Sequence, residues 1–495
     1  MSRRLKGTLL SLIAGTVAAL GQAPFDLSGM MMLGIFIGFE TMRRVRNPFE
    51  AATVGFVVGF AYFAITLHWI VSPFLVDAAQ HGWMAPFAVI LMAAGGALFW
   101  SLAFYLSRRL SAQLWVLIPC WAGVELLRAY VFTGFPWATP AQAMVDTLGG
   151  QVLAWIGPHG LNLLMLAVAY AFAMLGSQTI AMRFATWAVL IVLIWSRPEM
   201  SPPVMTQTVL RLVQPNAPQH EKWDPEKIGI FYERQLRFTA APADPNMSAP
   251  DAVIWPETAI PWNLTYSETI LREISAAARG KPVILGVQRT EEGRHYNSLV
   301  TLGPEGDVTQ LYDKHHLVPF GEYVPLGNFM ARFGIYGMAP QHGAGFSAGE
   351  GAALLDLGPL GLALPLICYE AVFAHDVNAS PARPDFIIHA TNDAWFGTYA
   401  GPQQHLAQAR MRAIEQGLPV ARAANTGISA MIDPHGRILR SLGMGEAGYI
   451  DAPLPAPLAP TLYSRTGDWP VVVLLLVLAG VLRISAGTVR KPNSD

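Results

Sequence analysis

Three residues with complementary chemistry lie at or just past the ends of predicted strands in the second half of the chain. Glu257 ends "DAVIWPE", Lys314 follows "VTQLYD" and Cys368 ends "LALPLIC". A cysteine attacks as its thiolate, a carboxylate can take the thiol proton and later serve a second nucleophile, and an ammonium group can stabilise a thiolate or an oxyanion. If the three side chains meet, they predict nucleophilic catalysis by Cys368.

Each of these residues also has an ordinary structural explanation. A buried cysteine is most often a small hydrophobic residue, Lys314 could be a solvated turn residue, and Glu257 could be a capping group on a loop. The spacing alone does not show that the side chains meet. Cys120, the second cysteine, lies in an apolar segment and is interpreted as a packing residue.

Other kinds of site have weaker support. His315 and His316 are adjacent, so on a strand they would point to opposite faces and form a poor metal pair. The chain has no H-E-x-x-H motif and no P-loop, and no basic stretch is rich enough to indicate nucleic acid. We therefore expect no metal, no cofactor and no nucleic-acid partner.

The elements that must position the three residues alternate along residues 197–468. Two segments with helical spacing that end at glycine, 266–280 and 401–417, predict helices. "GISAMIDPHGRILRSL" predicts a hairpin that turns at Asp433–Gly436. Alternating strands and helices are typical of α/β layers, which place their chemistry at strand ends. The predicted strands are 208–216, 251–257, 281–288, 296–302, 360–370 and 384–393.

The first two hundred residues contain repeated apolar segments. The whole chain is 53% hydrophobic and 14% charged, and a membrane-spanning helix needs about 20 mostly apolar residues. A cleavable signal peptide is not expected, because no A-x-A-like site follows "MSRRLK" and further apolar segments come at once. The predicted spans are 7–23, 27–42, 50–70, 84–105, 112–131, 150–175, 182–196 and 469–482.

Lys and Arg residues concentrate in every second loop between these segments, which predicts that those loops and both termini are cytoplasmic. Arg128, at a helix end, is the main exception. A buried or re-entrant segment among the first seven would invert this orientation. We predict transmembrane helices one to seven in residues 1–196, an extracytoplasmic domain in residues 197–468, and an eighth span with a cytoplasmic tail in residues 469–495.

Several longer motifs together resemble the apolipoprotein N-acyltransferase family, a membrane-bound branch of the nitrilase superfamily. They are "WPE" with Glu257, "DKHHLVPFGEYVP" with Lys314 and Glu322, "ICYE" with Cys368, and "TNDAWFG" at 391–397. The resemblance covers nearly the whole chain. It implies a multispan α-helical membrane domain of eight helices plus a nitrilase-like α/β domain, which is a four-layer α-β-β-α sandwich.

The resemblance also implies roles for the three residues. Glu257 would be the general base, Lys314 the group that stabilises and orients the oxyanion, and Cys368 a nucleophile whose pKa is lowered by the surrounding charge. Glu322 would be a second carboxylate that holds the Lys314 ammonium in place.

Four further residues lie in or near the family motifs. Tyr369 and Glu370 flank the nucleophile and would support the site, although Glu370 could instead be a carboxylate at a helix start. Trp223 and Asn297 align with family positions near the substrate.

The family reaction moves an acyl chain from a phospholipid, typically phosphatidylethanolamine, to the α-amine of the diacylglyceryl cysteine that begins a lipoprotein. This last step of lipoprotein maturation passes through a cysteine thioester. It implies a bacterial inner-membrane protein whose catalytic domain is periplasmic and whose two substrates are anchored in the outer leaflet. The segment 329–340 would be a lid or membrane-dipping arm, or an ordinary packed loop.

Two alternative functions can be weighed against these sequence features. A membrane-tethered nitrilase-like amidase or hydrolase would share the triad and use water as the acceptor. A nonenzymatic multispan scaffold would not need the triad, and the presence of all three residues argues against it.

Overall fold

The computed structural model describes residues 3–175, 179–181, 183–184, 200–330, 332 and 345–488. The chain forms two compact units. A helical unit comprises residues 1–200, 399–407 and 461–495, and an α/β unit comprises residues 201–398 and 408–460. Most of the candidate lid at 329–340 lies outside the described residues, and its role stays a prediction.

Long apolar sequences form the helices of the helical unit. A helix satisfies its backbone polar groups internally, as a lipid environment requires. Large apolar side chains lie on the outer surface, with Leu91 70% exposed and Trp155 66% exposed, and a surface of this kind suits lipid better than water. The α-helices are Arg3–Ala19, Ser28–Arg43, Pro48–Thr66, Val71–Leu75, Ala78–His81, Ala85–Leu110, Leu117–Tyr130, Leu148–Gln151, Leu153–Met174, Leu462–Thr466 and Trp469–Thr488.

Not every predicted span has a counterpart of sufficient length. The first two predicted spans are helices of 17 and 16 residues. The last corresponds to the helix Trp469–Thr488, whose apolar part is Trp469–Ile484. Most of the seventh, 182–196, lies outside the described residues, so the count of eight stays a prediction. The helical stretches in the described residues that are long and apolar enough to cross a membrane are Pro48–Thr66, Ala78–Leu110, Leu114–Thr133 and Leu153–Met174.

Arg128, the exception to the alternation of loop charges, is buried inside the helical unit. It is 3% exposed, and its Nη2 lies 2.7 Å from Oε2 of Glu125. Glu125 Oε1 also accepts a hydrogen bond from Trp100 Nε1 at 2.8 Å, and Arg128 Nη1 donates to the carbonyl of Trp137 at 2.9 Å. A charge in this setting is tolerated because it is paired and hydrogen-bonded. Arg128 therefore belongs to the buried interior of the helical unit and not to a loop between predicted spans.

The helical unit includes a short segment that the sequence analysis assigned to the domain at 197–468. Gln404 is buried, its Nε2 donates to the carbonyls of Ala23 and Thr66 at 3.1 Å, and its Oε1 accepts from Trp137 Nε1 at 2.7 Å. The His405 ring stacks on Trp137 at 5.5 Å. Residues 399–407 thus pack among helices that lie hundreds of positions earlier in the chain.

Two six-stranded sheets form the centre of the α/β unit. Their strand orders are β12-β1-β2-β3-β4-β5 and β11-β10-β9-β8-β7-β6. The pairs β1–β2, β2–β3, β7–β8 and β8–β9 are parallel, and the other neighbouring strands are antiparallel. The strands are β1 Met205–Gln214, β2 Ala252–Ile254, β3 Val283–Glu291, β4 Arg294–Leu302, β5 Val308–Asp313, β6 Leu355–Asp356, β7 Leu362–Ile367, β8 Phe386–Thr391, β9 Val420–Ala424, β10 Ser429–Ile432, β11 Ile438–Leu442 and β12 Gly448–Pro455.

Helices cover the sheets and complete the nitrilase-like α-β-β-α sandwich. Leu271 and Ile274, from the helix Glu268–Ala277, share a buried core with Val253 of β2 and Val283 of β3. The two sheets meet where Ser429 Oγ of β10 donates to Gln214 Oε1 of β1 at 2.7 Å. The helices with residues in the α/β unit are Ile228–Ala240, Glu268–Ala277, Gly327–Met330, Ala374–Asn378 and Gly401–Gln416, the last of which begins in the helical unit.

The predicted strands and both predicted helices are confirmed, with bounds that differ by at most three residues at either end. The hairpin at 427–442 is confirmed as β10 and β11, and the amide of Gly436 donates to the carbonyl of Asp433 at 2.8 Å in its turn. Gly280 and Gly417 follow the two helices with φ of +71° and +64°, which is the left-handed conformation that favours glycine after a helix.

Several elements were not predicted, among them the helix Ile228–Ala240 and the strands β9 and β12. The helix Ile228–Ala240 buries the polar residues Gln235 and Thr239 together with Phe231 and Tyr232. Strand β12 contains Pro453 and Pro455, which are tolerated because β12 is the edge strand of its sheet. In β12, Asp451 is buried against Arg211, with two N···O distances of 2.7 and 2.8 Å.

Candidate active site

The chain turns sharply at Cys368. Strand β7 is apolar and nearly wholly buried, and Cys368 follows its last residue with φ of +50° and 5% exposure. A non-glycine residue in this region is strained, and such strain is held in place only by surrounding contacts. One of these contacts is His389 of β8, whose Nε2 lies 3.1 Å from the carbonyl oxygen of Cys368.

Glu370 stabilises the turn at Cys368 through hydrogen bonds. It is fully buried, and its Oε2 accepts from the amide of Ile367 at 2.7 Å, whereas its Oε1 accepts from Tyr312 Oη and from the amide of His315, both at 2.8 Å. The first of these bonds makes Glu370 a carboxylate at the start of the short helix Cys368–Val372. The others connect the nucleophile turn to the end of β5, where Lys314 follows.

Glu257 lies after β2, at a second strained turn. It is 6% exposed, and the next residue, Thr258, has φ of +44°. The Glu257 carboxylate accepts from the amide of Asn392 at 2.9 Å and from Nδ2 of Asn297 at 2.7 Å. These bonds leave the carboxylate fixed in position and still close to the Lys314 ammonium, 3.6 Å away.

Lys314 is 1% exposed and lies between two carboxylates. Its Nζ is 2.9 Å from both oxygens of Glu322 and 3.6 Å from Glu257 Oε1. Asn297 Nδ2 also donates to Glu322 at 3.1 Å, and the amide of Val318 donates to Glu322 at 2.8 Å. The side chains predicted as base, cation and second carboxylate therefore form one hydrogen-bonded cluster.

Electrostatics at Cys368 differ from the prediction. Burial raises the pKa of the Cys368 thiol well above its ordinary value, and the Glu257 charge raises it further, while Lys314 acts in the opposite direction. The expectation that surrounding charge lowers this pKa is therefore wrong for the resting site. The free-energy cost of removing the thiolate from water is larger than the stabilisation that the Lys314 charge supplies. A thiol of this kind needs a base before it can attack.

The Lys314 ammonium keeps its proton. Burial acts to lower the pKa of Lys314, but the charges of Glu322, Glu257 and the Cys368 thiolate together raise it well above its ordinary value. A permanently charged group in this place can stabilise negative charge that develops during a reaction.

The remaining predicted residues lie in three different environments. Tyr369 is buried in an aromatic cluster, with ring-centroid distances of 4.9 Å to Phe373 and 5.7 Å to His316. Trp223 is 39% exposed and lines a small open pocket together with Lys222 and Thr258. Asn297 is 3% exposed and bridges the two carboxylates.

Two buried residues in contact with Glu257 were not singled out from the sequence. Asn392 lies within the "TNDAWFG" motif, and its backbone amide donates to Glu257. Lys222 directly precedes Trp223, and its Nζ lies 3.3 Å from the Glu257 carbonyl. The sequence spacing predicts neither contact, because Asn392 lies 135 positions from Glu257 and Lys222 lies 35 positions from it.

The two adjacent histidines do not lie on a strand, so opposite strand faces do not separate them. His315 and His316 follow the end of β5 rather than lying on it, and both contact Asp376, at 3.8 and 2.6 Å. His316, His375 and Asp376 place one ligand atom each within 4.8 Å of the others. Burial acts to lower the pKa of His315, but Asp376 and Glu370 raise it to about 10, so His315 is a charged link between those two carboxylates.

Two family models match the chain. Residues 14–171 match the apolipoprotein N-acyltransferase N-terminal domain, and residues 212–460 match the carbon-nitrogen hydrolase domain. Among solved structures, a mutant of the amidase from Nesterenkonia sp. AN1 is 18% identical, with a TM-score of 0.37 over 52% of this chain and 94% of the amidase.

Curated relatives are similar over nearly the full length. Apolipoprotein N-acyltransferases from Rhodopseudomonas palustris and Caulobacter vibrioides are 36% and 38% identical, and each alignment covers 96% of this chain and 94% of the relative. The enzyme from Sinorhizobium fredii is 35% identical over 95% of this chain and 94% of its own. With one model matching the apolar helices and another matching the sheets around Cys368, the chain belongs to the apolipoprotein N-acyltransferase family.

Proposed function

We propose that this bacterial membrane protein transfers an acyl chain from a membrane phospholipid to the α-amine of the N-terminal diacylglyceryl cysteine of lipoproteins. The observation that carries the proposal is the buried cluster of Glu257 and Lys314, whose charges both act on the Cys368 thiol. The cluster supplies a base, a fixed cation and a nucleophile in one place, as acyl transfer through a thioester requires.

The first half-reaction forms the acyl-enzyme. Glu257 takes the Cys368 proton while the sulfur attacks the ester carbonyl of the phospholipid, and the oxyanion that forms is stabilised by the Lys314 ammonium. The tetrahedral intermediate collapses, the ester C–O bond breaks, and the leaving alkoxide takes the proton from Glu257. The products are a Cys368 thioester and a lysophospholipid.

The second half-reaction uses the amine. The neutral α-amine attacks the thioester carbonyl, Glu257 accepts a proton from the nitrogen, and the C–S bond breaks. The departing thiolate of Cys368 recovers that proton, which restores the resting site and leaves an amide on the lipoprotein. Because the lysophospholipid leaves before the amine reacts, the kinetics are ping-pong.

The finer features of the proposal concern the donor and the location. Phosphatidylethanolamine is the proposed donor, and the inner membrane is the proposed location, with residues 197–468 on the periplasmic side and both termini in the cytoplasm. The support for this orientation is the alternation of Lys and Arg among the loops. Arg128, the exception to this alternation in the sequence, is buried next to Glu125 and is not a loop residue.

The orientation predicts where reporter fusions work. A reporter that is active only outside the cytoplasm should be active when fused near residue 300 and inactive when fused after residue 490. A reporter that is active only in the cytoplasm, fused at the same two places, should give the opposite pattern and serves as the control. Activity of the first reporter at the C-terminus alone would place the α/β unit in the cytoplasm, away from exported lipoproteins.

Acceptor dependence tests the reaction itself. Cells that contain the protein should yield lipoproteins whose N-terminal cysteine is heavier by one acyl group, and cells without it should not, as measured by mass spectrometry of the N-terminal peptide. With purified protein, release of the acyl group should require an acceptor with a free α-amine. It should weaken as pH falls below the amine pKa of about 8, because only the neutral amine attacks. Release of free fatty acid at the same rate without an amine would identify a hydrolase instead.

A further inference from the structure

Lys222 is a second buried ammonium group near the proposed catalytic residues. It is 7% exposed, and among the residues that the structure describes, no carboxylate oxygen lies within 4.0 Å of its Nζ. Removing an ammonium from water without an ion-pair partner is costly. A residue that only filled this space would be more favourable as an apolar side chain of the same length.

The contacts of Lys222 fall on the turn that carries Glu257. Its Nζ donates to Thr258 Oγ1 at 2.8 Å and lies 3.3 Å from the carbonyl oxygen of Glu257. Thr258 has φ of +44°, so the ammonium binds the strained part of this turn. The Trp223 ring lies 5.3 Å from the same Nζ and orients the ammonium from another side.

The backbone of β3 also holds this turn. The amide of Gly286 donates to the carbonyl of Pro256 at 3.1 Å, and the amide of Ala259 donates to the carbonyl of Gly286 at 2.7 Å. A Cβ atom at Gly286 would come within 2.4 Å of the amide nitrogen of Thr258. The Glu257–Thr258 turn is therefore in contact both with the closely packed strand β3 and with the Lys222 ammonium.

The charge of Lys222 also reaches the reacting groups. Burial lowers the pKa of Lys222 to about 8, although the charges of Glu257 and of the Cys368 thiolate act to raise it. Tyr232 lines the same pocket, and burial raises its pKa above its ordinary value, so that it stays neutral there. The charged groups that interact with Lys222 are thus Glu257 and the Cys368 thiolate.

We propose that Lys222 is a positioning residue for acyl transfer, which fixes the Glu257–Thr258 turn through its hydrogen bonds and stabilises the negative charge that passes between Cys368 and Glu257. The part concerning acyl transfer rests on the function proposed above. The part concerning thiol reactivity does not, because any electrophile that reaches Cys368 reports on it.

The experiment measures the rate at which iodoacetamide alkylates Cys368 in the full chain, in a Cys120→Ala background so that one thiol reacts. This parent protein is compared with its Lys222→Met and Lys222→Arg variants. Lys227→Met is the matched control, since Lys227 is an exposed lysine paired with Glu221 at 2.8 Å. Acyl loading from a labelled phospholipid is measured on the same proteins.

We expect Lys222→Met to react about ten to a hundred times more slowly at pH 7, the range that charge-assisted hydrogen bonds supply. The ratio of the parent rate to the rate of the Lys222→Met variant should fall toward one as pH rises above 8, because Lys222 loses its charge there. The ratio of Lys222→Arg to Lys222→Met should stay constant, because arginine keeps its charge. Lys227→Met should match the parent throughout.

Two results would overturn the proposal. Equal rates for the parent and Lys222→Met at pH 7 would remove any role in thiol reactivity, and a ratio that does not change with pH would leave only a structural role. The thermal unfolding of Lys222→Met, measured in parallel, separates a lost charge from a lost fold. If the alkylation rates behave as expected while no variant or parent is loaded by phospholipid, the function proposed above fails and the role of Lys222 in thiol reactivity stands.

Discussion

Replacing Cys368 by alanine is expected to reduce acyl transfer by at least about 10⁴-fold, as loss of a nucleophile does in other enzymes that form a covalent intermediate. Only the sulfur atom is lost, at a site that is held by neighbouring groups such as Glu370 and His389. The variant should therefore fold and insert normally. Its activity is measured as the acylated fraction of lipoprotein N-termini.

The intermediate gives this prediction a direct measurement. With an acyl-labelled phospholipid and no lipoprotein, the unmodified protein should take up one acyl group and release lysophospholipid, whereas Cys368→Ala should take up none. Hydroxylamine at neutral pH should remove the label, because a thioester is cleaved much faster than an ordinary oxygen ester. An added α-amine should discharge it onto nitrogen.

Cys120→Ala is the matched control, since it removes the other cysteine of the chain. Cys120 lies on the helix Leu117–Tyr130 of the helical unit, so its loss should leave loading unchanged. Label on the Cys368→Ala protein, or loss of loading in Cys120→Ala alone, would show that the wrong cysteine has been assigned.

Replacing Glu257 by glutamine is expected to slow acylation of Cys368 by about 10² to 10⁴-fold, the usual contribution of a general base. The physical reason is the thiol itself: burial raises the pKa of Cys368, so almost no thiolate forms near neutral pH without a base. Glutamine keeps the size of the side chain and an oxygen that can accept from the amide of Asn392. The measurement is the rate of acyl loading in a single turnover.

Glu322→Gln is the informative comparison for this variant. Glu322 lies 2.9 Å from Lys314 and accepts from the amide of Val318, but it is not the proposed base. We expect the Lys314 ammonium to be held less firmly and loading to be partly retained. Loading of Glu257→Gln at the unmodified rate, or an equally deep loss in both variants, would argue against separate roles for the two carboxylates.

Residue types and hydrophobic patterning are enough to predict the three reactive residues and the kind of element on which each lies. Glu257, Lys314 and Cys368 each lie at or just past the end of a predicted strand, and these segments form β2, β5 and β7. The signal is clearest for β2 and β7, because a buried strand is apolar along its length and its polar end is visible locally. The apolar segments of the first two hundred residues are visible for the same reason.

Contacts between distant parts of the chain are visible only in the folded structure. Glu257 meets Asn392 and Lys222 across 135 and 35 positions, and Gln404 contacts Ala23 across 381. The local hydrophobic periodicity of a sequence does not predict contacts between residues so far apart in the chain. They follow from the order in which the strands pair and from which helices a segment packs against.

The charge state of the nucleophile also required the structure. The sequence places Cys368 next to polar residues, which suggested a lowered thiol pKa, but the side chain is 5% exposed and its pKa is raised. A pKa reflects the balance between desolvation and the charges that surround a group in space. Sequence neighbours such as Tyr369 and Glu370 point into other clusters, and the groups that act on the sulfur come from the ends of other strands. That is why the residue types could be predicted from the sequence, whereas the need for Glu257 as a base became clear only from the fold.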